Sequence, residues 1–487
     1  MSSFFSSRQW NRVSLFLLLG FFAIRIFSFY THFWIWPQAT VGILLLIAFV
    51  LAFIKNPRWA WYFIMAELLL GGSGHFIELF GISLRTWLLM TYIILLSVQT
   101  FLRHTKKVPL LLPMNLLPLF GLFACAIIFA IINGNWHGND PKLIVQDAIP
   151  FLYFILLIPS YEYLKEKEVQ KWMWELILAF IAGSAIFSVF TFVLFSTGTQ
   201  ILHGEYYKWY RDVVAGKITD LHSGFFRIVT PEHLLIPPLT LVLMSVAMFE
   251  KKIKPYLIIT LTGAFLILSL NLSRAYFLGV GIATFFLLLK HSLKHWIKIS
   301  VLSVFLIFFT FCGTYFLASH GHSLGLEVFG LRLQSFTSPQ IEESTYTRTA
   351  LLPAIWKKIQ EAPILGSGLG STVTFENPVT HQLVTTPQFD WGYFELWTEL
   401  GAIGLTLYAV LLLSIGYVLL THTYKNNTHS HVAIGLFGGC ISLLIITLFT
   451  PALFHVFGIV FLTLALAFVL LPSNLWERVQ LYLRRLL

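Results

Sequence analysis

The stretch LTGAFLILSLNLSRAYFLGVGIATFFLLLK, Leu261–Lys290, decides the fold. It is apolar throughout except for Asn271, Ser273 and Arg274 near its middle. Read as one membrane span, it carries an arginine into hydrocarbon at considerable cost. Read as two short spans, about 255–270 and 274–290, it surfaces at Arg274 and turns back.

The rest of the chain is of one kind with this stretch. Its 487 residues are 57% hydrophobic and only 11% charged, with a mean hydropathy of +0.79. A soluble domain carries about 25% charged residues, so the composition predicts a polytopic membrane protein and excludes a soluble one. The net charge of +10 does not indicate nucleic-acid binding, because the basic residues lie in short clusters between apolar runs, as membrane topology requires. Cys125, Cys312 and Cys440 all fall within apolar runs, with no CxxC pair and no disulfide framework, and read as small core residues. Arg8 and Arg12 followed by VSLFLLLGFFAI resemble a secretory signal, but no small-residue cleavage site follows. The segment reads as an uncleaved first span.

A crossing helix needs about 20 apolar residues. About fourteen segments qualify: 13–30, 38–54, 59–80, 82–101, 109–132, 147–163, 169–195, 232–249, 255–270, 274–290, 297–318, 391–420, 431–450 and 452–471. With an inside N-terminus, alternation puts Arg8, Arg12, Lys55, Arg58, Arg103, Lys106, Lys107, Lys165, Lys167, Lys171, Lys251, Lys252, Lys254, Lys290, Lys294, Lys298, Lys425, Arg478, Arg484 and Arg485 on the cytoplasmic side. That is 20 of the 32 Lys and Arg, as the positive-inside rule predicts. Merging 255–290 into one span would break the alternation downstream. Arg274 is therefore expected on a tight external turn, where it either lines a cavity or snorkels to lipid phosphates. The expected fold is an all-α polytopic membrane protein, one transmembrane domain over 1–487, with both termini cytoplasmic. Two large external loops stand out, 196–231 and 319–390, the second with an amphipathic surface helix at about 345–361.

The external side carries Arg211, Arg227, Arg274, Arg332 and Arg348, with Lys208, Lys217, Lys357 and Lys358. Arginine forks bind phosphate bidentately and stay charged at any working pH. Several converging at the membrane surface suit a diphosphate whose tail lies in lipid; the bland alternative is a solvated loop with scattered charges. In STYTRTALLPAIWKKIQEAPILGSGLGS, Ser344 or Thr345 is placed to cap a helix that Pro363 and Gly366 end. Leu351, Leu352, Ile355 and Ile359 recur at helical spacing and predict a helix lying on the bilayer surface. GSGLGS permits a tight turn and offers a weak phosphate-cradle signal. Asp390, at the head of the next span, reads as a general base or as an N-cap, and His381 is a second candidate base. Glu395 and Glu399 follow in the first turns. Glu67, His75, Glu78 and Arg85 cluster at one end of the third and fourth spans, where a Glu–Arg pair either serves function or ties two helices. Arg25 reads as a snorkelling residue, and His233 as either a cap or a ligand. No HExxH, DxD pair or metal-spaced His/Cys set is present, so no metal or other cofactor is expected.

Three stretches resemble the O-antigen ligase and polymerase superfamily of bacterial membrane proteins. LSLNLSRAYFLGVGIATFFLLL resembles its span–SR–span element, with Arg274 at the arginine. RTALLPAIWKKIQEAPILGSGLGS matches a second segment at Arg348, Trp356, Pro363, Gly366, Gly368 and Gly370. DWGYFELWTELGAIGLTLYAVLLL matches a third at Tyr393, Glu399, Gly401 and Gly404. A weaker likeness lies in GFFRIVTPEHLLIP, at Arg227 and Pro231. The resemblance implies glycan transfer from an undecaprenyl diphosphate carrier to an acceptor on the outer side of the bacterial cytoplasmic membrane. It implies that Arg274, with Arg211 or Arg227, holds the donor diphosphate and that Arg348 supports the same pocket. The family's ligase pattern has a histidine where this chain has Asp390, which leaves a polymerase, a glycan–protein transferase, or a ligase with an aspartate base. The expected partners are the lipid-linked glycan, a glycan, lipid or protein acceptor, and membrane lipids. The rival reading is a transporter or flippase of lipid-linked oligosaccharide; a cell-wall glycosyltransferase of the shape-and-division type lacks its loop motifs here.

Overall fold

The computed structural model describes residues 12–102, 116–197, 203–221, 224–250, 252–327, 343–424 and 430–470. Arg8, Arg103, Lys106, Lys107, Lys251, Arg332, Lys425, Arg478, Arg484 and Arg485 lie outside the described residues. The architecture is helical. In chain order the helices are α1 Arg12–Thr31, α2 Ile35–Lys55, α3 Pro57–Leu70, α4 Leu84–Leu102, α5 Leu117–Trp136, α6 Pro141–Leu152, α7 Leu157–Tyr163, α8 Lys167–Ser196, α9 His203–Asp212, α10 Ile236–Phe249, α11 Pro255–Asn271, α12 Arg274–Phe286, α13 Leu293–Ala318, α14 Glu343–Glu361, α15 Gly392–Tyr424, α16 Ser430–Thr447 and α17 Val456–Val469. Among the described residues, ten helical segments are long and apolar enough to cross a membrane; Pro255–Asn271, Arg274–Leu289 and Val456–Val469 are shorter apolar helices.

Local signals set the boundaries. Proline begins α3, α6 and α11, at the position whose N–H has no helical partner. Asn56 and Asp140 cap α3 and α6 by accepting from the N–H groups two residues on. Between α11 and α12, Leu272 adopts a left-handed φ of 45°, a conformation no helix continues through. The opening stretch is therefore two helices meeting at Asn271–Arg274, not one.

The segment Pro231–Phe249 is the most enclosed of the ten, with 94% of its apolar window buried. Its helix α10 packs along α16 and α12, while α11 packs against α13 and α8. Close approach relies on small residues: a Cβ at Gly435 would meet Val242 at 2.8 Å, and one at Gly279 would meet the Ser442 hydroxyl at 2.9 Å. Arg25 corrects the snorkelling expectation. It is only 3% exposed, pairs with Glu232 at 2.9 Å and donates to the carbonyls of Leu70 and Phe21. A buried arginine is held by partners inside the protein, here a carboxylate and two carbonyls. Arg85 likewise pairs with Glu67 at 2.8 Å and donates to the Gly72 carbonyl, tying α4 to α3.

A short antiparallel pair, β1 Glu78–Leu79 and β2 Ile82–Ser83, lies between α3 and α4. Both predicted loops carry structure. Within 196–231, α9 is followed by an antiparallel hairpin, β3 Lys217–Asp220 and β4 Phe226–Val229, with Thr219 opposite Arg227. Aromatic side chains moor it: Trp209 donates to the Ser28 hydroxyl, and Tyr206 shares a 2.7 Å bond with Thr191. Burial drives the phenols of Tyr206 and Tyr210 up from their ordinary range, so both stay neutral. Within 319–390, α14 is followed by a hairpin, β5 Val373–Glu376 and β6 Leu383–Thr386. Helix α14 corrects two expectations. Ser344 and Thr345 are helical residues rather than the residue preceding the helix. Its apolar face does not rest on lipid: Leu351, Ile355 and Ile359 are buried against Val373, Phe375 and Phe389. The hairpin folds back and covers a face that sequence periodicity alone leaves open; each aliphatic side chain so enclosed contributes about 1.5–3 kcal/mol.

Candidate functional site

Two constellations gather the predicted residues. The first lies at the α11–α12 break. Arg227 projects from β4, and its Nε donates to the backbone carbonyl of Asn271 at 2.5 Å. Arg274 opens α12 three residues later. Ser273, at the N-cap position, makes no side-chain capping bond, so it does not compete for the amide groups of the first turn. The helix dipole favours an anion there, although the Tyr276 amide already bonds the Ser273 carbonyl at 3.1 Å.

Behind the break sits a buried polar network. The Asn271 amide contacts His233 Nδ1 at 3.1 Å, and His233 Nε2 meets the Ser188 hydroxyl at 3.1 Å. The Thr230 amide approaches His233 Nδ1 at 3.4 Å, so His233 closes its own helix start. Next to it, Glu232 is the partner of Arg25.

The second constellation lies where α14 meets the head of α15. Arg348 Nε is 3.4 Å from Asp390 Oδ2, and the Trp391 indole donates to the Arg348 carbonyl at 3.1 Å. Asp390 holds a left-handed φ of 55°, which a short polar side chain tolerates. It is not an N-cap: the first helical bond, from the Glu395 amide, is accepted by Trp391, one residue on. The Asp390 carboxylate faces Arg348 instead. Glu395 reaches back to accept from the Phe389 amide at 3.2 Å.

The glycine loop between them is not an anion cradle, because its amides are already used. Ser367 and Gly368 donate to the carbonyls of Thr398 and Glu399, and Leu369 to that of Ala130. Gly370 donates to Asp147 at 3.0 Å and Glu399 at 3.2 Å. The Asn139 amide satisfies the carbonyls of Ser367 and Leu369, and Asn133 that of Gly366. Opposite the loop, α15 breaks at Gly401, with φ 67° and ψ 179°. Gly366, Gly368 and Gly370 all have positive φ, and a Cβ on Gly368 would strike the backbone of Gly134. The loop is a packed plug wedged between α5, α6 and the broken helix.

The other predicted residues stand apart. Arg211 is exposed on α9 and forms a two-pronged bond to its neighbour Asp212, at 2.7 and 3.0 Å. That bond holds the Asp212 carboxyl below its usual range. His381 turns the β5–β6 hairpin with φ 54° and faces Glu376 at 3.5 Å, both strongly exposed. His75 and Glu78 pair at 2.7 Å. Asp147, Asn133 and Asn139 were not singled out in the sequence. Asn133 and Asn139 lie in NGNWHGNDPK, residues 133–142, a cluster of Asn, Gly and Asp that reads as an ordinary turn, and Asp147 follows it at the head of an apolar run.

Residues 258–409 match the O-antigen ligase family. The match supports the O-antigen ligase and polymerase superfamily, as the three sequence stretches suggested. It spans the α11–α12 break, α14, the glycine plug, Asp390 and the break at Gly401. Arg211 and Arg227 lie before it. No curated protein matches the chain.

Proposed function

We propose that the chain transfers a glycan from a polyprenyl (undecaprenyl) diphosphate carrier to an acceptor hydroxyl on the external face of the bacterial cytoplasmic membrane. The family match indicates O-antigen ligase- or polymerase-type function in surface polysaccharide assembly. The observation that carries the finer reading is the Arg348–Asp390 pair at 3.4 Å: a candidate diphosphate ligand and a candidate base are neighbours within the matched region. The proposed topology has fourteen crossings, as the alternation of basic clusters suggests, with both termini cytoplasmic and the loops 196–231 and 319–390 outside.

In this mechanism the acceptor oxygen bonds to the anomeric carbon while the bond from that carbon to the diphosphate oxygen breaks, inverting the centre in one step. The acceptor proton passes to Asp390, which Arg348 faces at 3.4 Å, with His381 as the alternative base. Arg274 and Arg227, with the start of α12, neutralise the charge gathering on the leaving diphosphate; Arg348 supports them, and Arg211 meets the donor at the rim. With positive charge supplied by arginine, the step needs no metal.

Purified Arg274→Ala and Asp390→Asn proteins are expected to transfer glycan at least about a hundredfold more slowly than wild type. Rates within about twofold of wild type in both would contradict the assignment. The alternative, a flippase of lipid-linked oligosaccharide, predicts that labelled donor crosses vesicle membranes without any transfer product.

A further inference from the structure

We propose that Asn271 and His233 are positioning residues that aim Arg227 at the donor diphosphate. The inference rests on the diphosphate reading above and adds to it the parts that hold one of its arginines. The Arg227 bond to the Asn271 carbonyl uses Nε and so fixes the plane of the guanidinium. The Nη edge of that plane carries the fork that suits a phosphate. What fixes the carbonyl is the Asn271 side chain, which is 1% exposed and bonded to His233.

The hydrogen-bond roles are determined by one backbone group. The Thr230 N–H points at His233 Nδ1, so Nδ1 is the accepting nitrogen. Asn271 must then present its amino group to Nδ1, and Nε2 carries the proton given to Ser188. The chain of bonds runs from α8 through the start of α10 to the end of α11 and out to the hairpin arginine. Asn271 Oδ1 and Glu232 Oε2 are buried with no hydrogen-bond partner among the described residues. Such acceptors are costly, and aliphatic side chains would pack the same space without that cost. A polar set kept there at a loss to stability is consistent with the need to hold the turn before Arg274 in one geometry.

The test is steady-state transfer by the full purified chain, with polyprenyl-diphosphate-linked glycan as donor. Asn271→Ala and Arg227→Ala are each expected to raise the donor KM about tenfold and leave the acceptor KM unchanged. The double variant should be no worse than Arg227→Ala alone. Ser188→Ala, which removes only one hydroxyl at the far end of the chain, should raise the donor KM about threefold and keeps the proposal testable should Asn271→Ala fail to fold. Multiplying effects in the double variant, or an unchanged donor KM in both Asn271→Ala and Ser188→Ala beside an impaired Arg227→Ala, would overturn the positioning role alone. An unchanged donor KM in Arg227→Ala would overturn the diphosphate role of that arginine and this inference with it.

Discussion

At the residue scale, the polar side chains divide into those that hold the bundle and those that face the proposed substrate. Arg25 belongs to the first group. Replacing it by alanine strands the Glu232 carboxylate in a buried site, and breaking such a pair costs about 3–5 kcal/mol. Thermal unfolding in detergent should show Arg25→Ala strongly destabilised, while Arg25→Met combined with Glu232→Leu recovers most of the loss. An Arg25→Ala protein as stable as wild type would contradict the ion-pair account. The sequence hid this pair because its members are 207 residues apart and nothing local links them. His291 offers a pH test outside the apolar helices. Burial lowers its pKa from 6.5 to about 4, and its Nε2 bonds the Ser245 hydroxyl at 2.8 Å. Between those two values the unfolded chain binds a proton that the folded chain excludes, so stability falls as pH drops through that window. A His291→Gln protein should lose that part of the pH dependence; an unchanged slope would contradict it.

At the scale of elements, the glycine plug and the broken helix form one device. Gly368 combines a φ of 81° with a Cβ position that collides with the Gly134 backbone. Gly368→Ala should therefore cost about 3 kcal/mol or more. Asn139→Ala leaves plug carbonyls without donors and should cost about 1–3 kcal/mol. Both can be read from melting temperatures of the purified proteins, and unaltered values in both would remove the plug from the account. The helical face of Leu351, Ile355 and Ile359 was legible from its spacing. What covers it was not, because a hairpin of two four-residue strands gives too short an alternation to register. GSGLGS was legible as a turn but not as a plug, since its amide partners come from α5, α6 and α15 rather than from its neighbours.

At the scale of the whole molecule, the membrane class followed from composition, and the break at Arg274 followed from the alternation of basic clusters. The pairing of Arg348 with Asp390 did not, because it depends on how α14 packs against the head of α15, which periodicity does not encode. The central claim is that Arg274 and Arg348 serve one diphosphate, which requires both to open to the same compartment. With Cys125, Cys312 and Cys440 replaced, single cysteines introduced as Arg274→Cys and Arg348→Cys can be challenged with a membrane-impermeant thiol reagent in sealed right-side-out vesicles. The account predicts that both react from outside. Reaction of one from outside and of the other only after the vesicles are opened would contradict it.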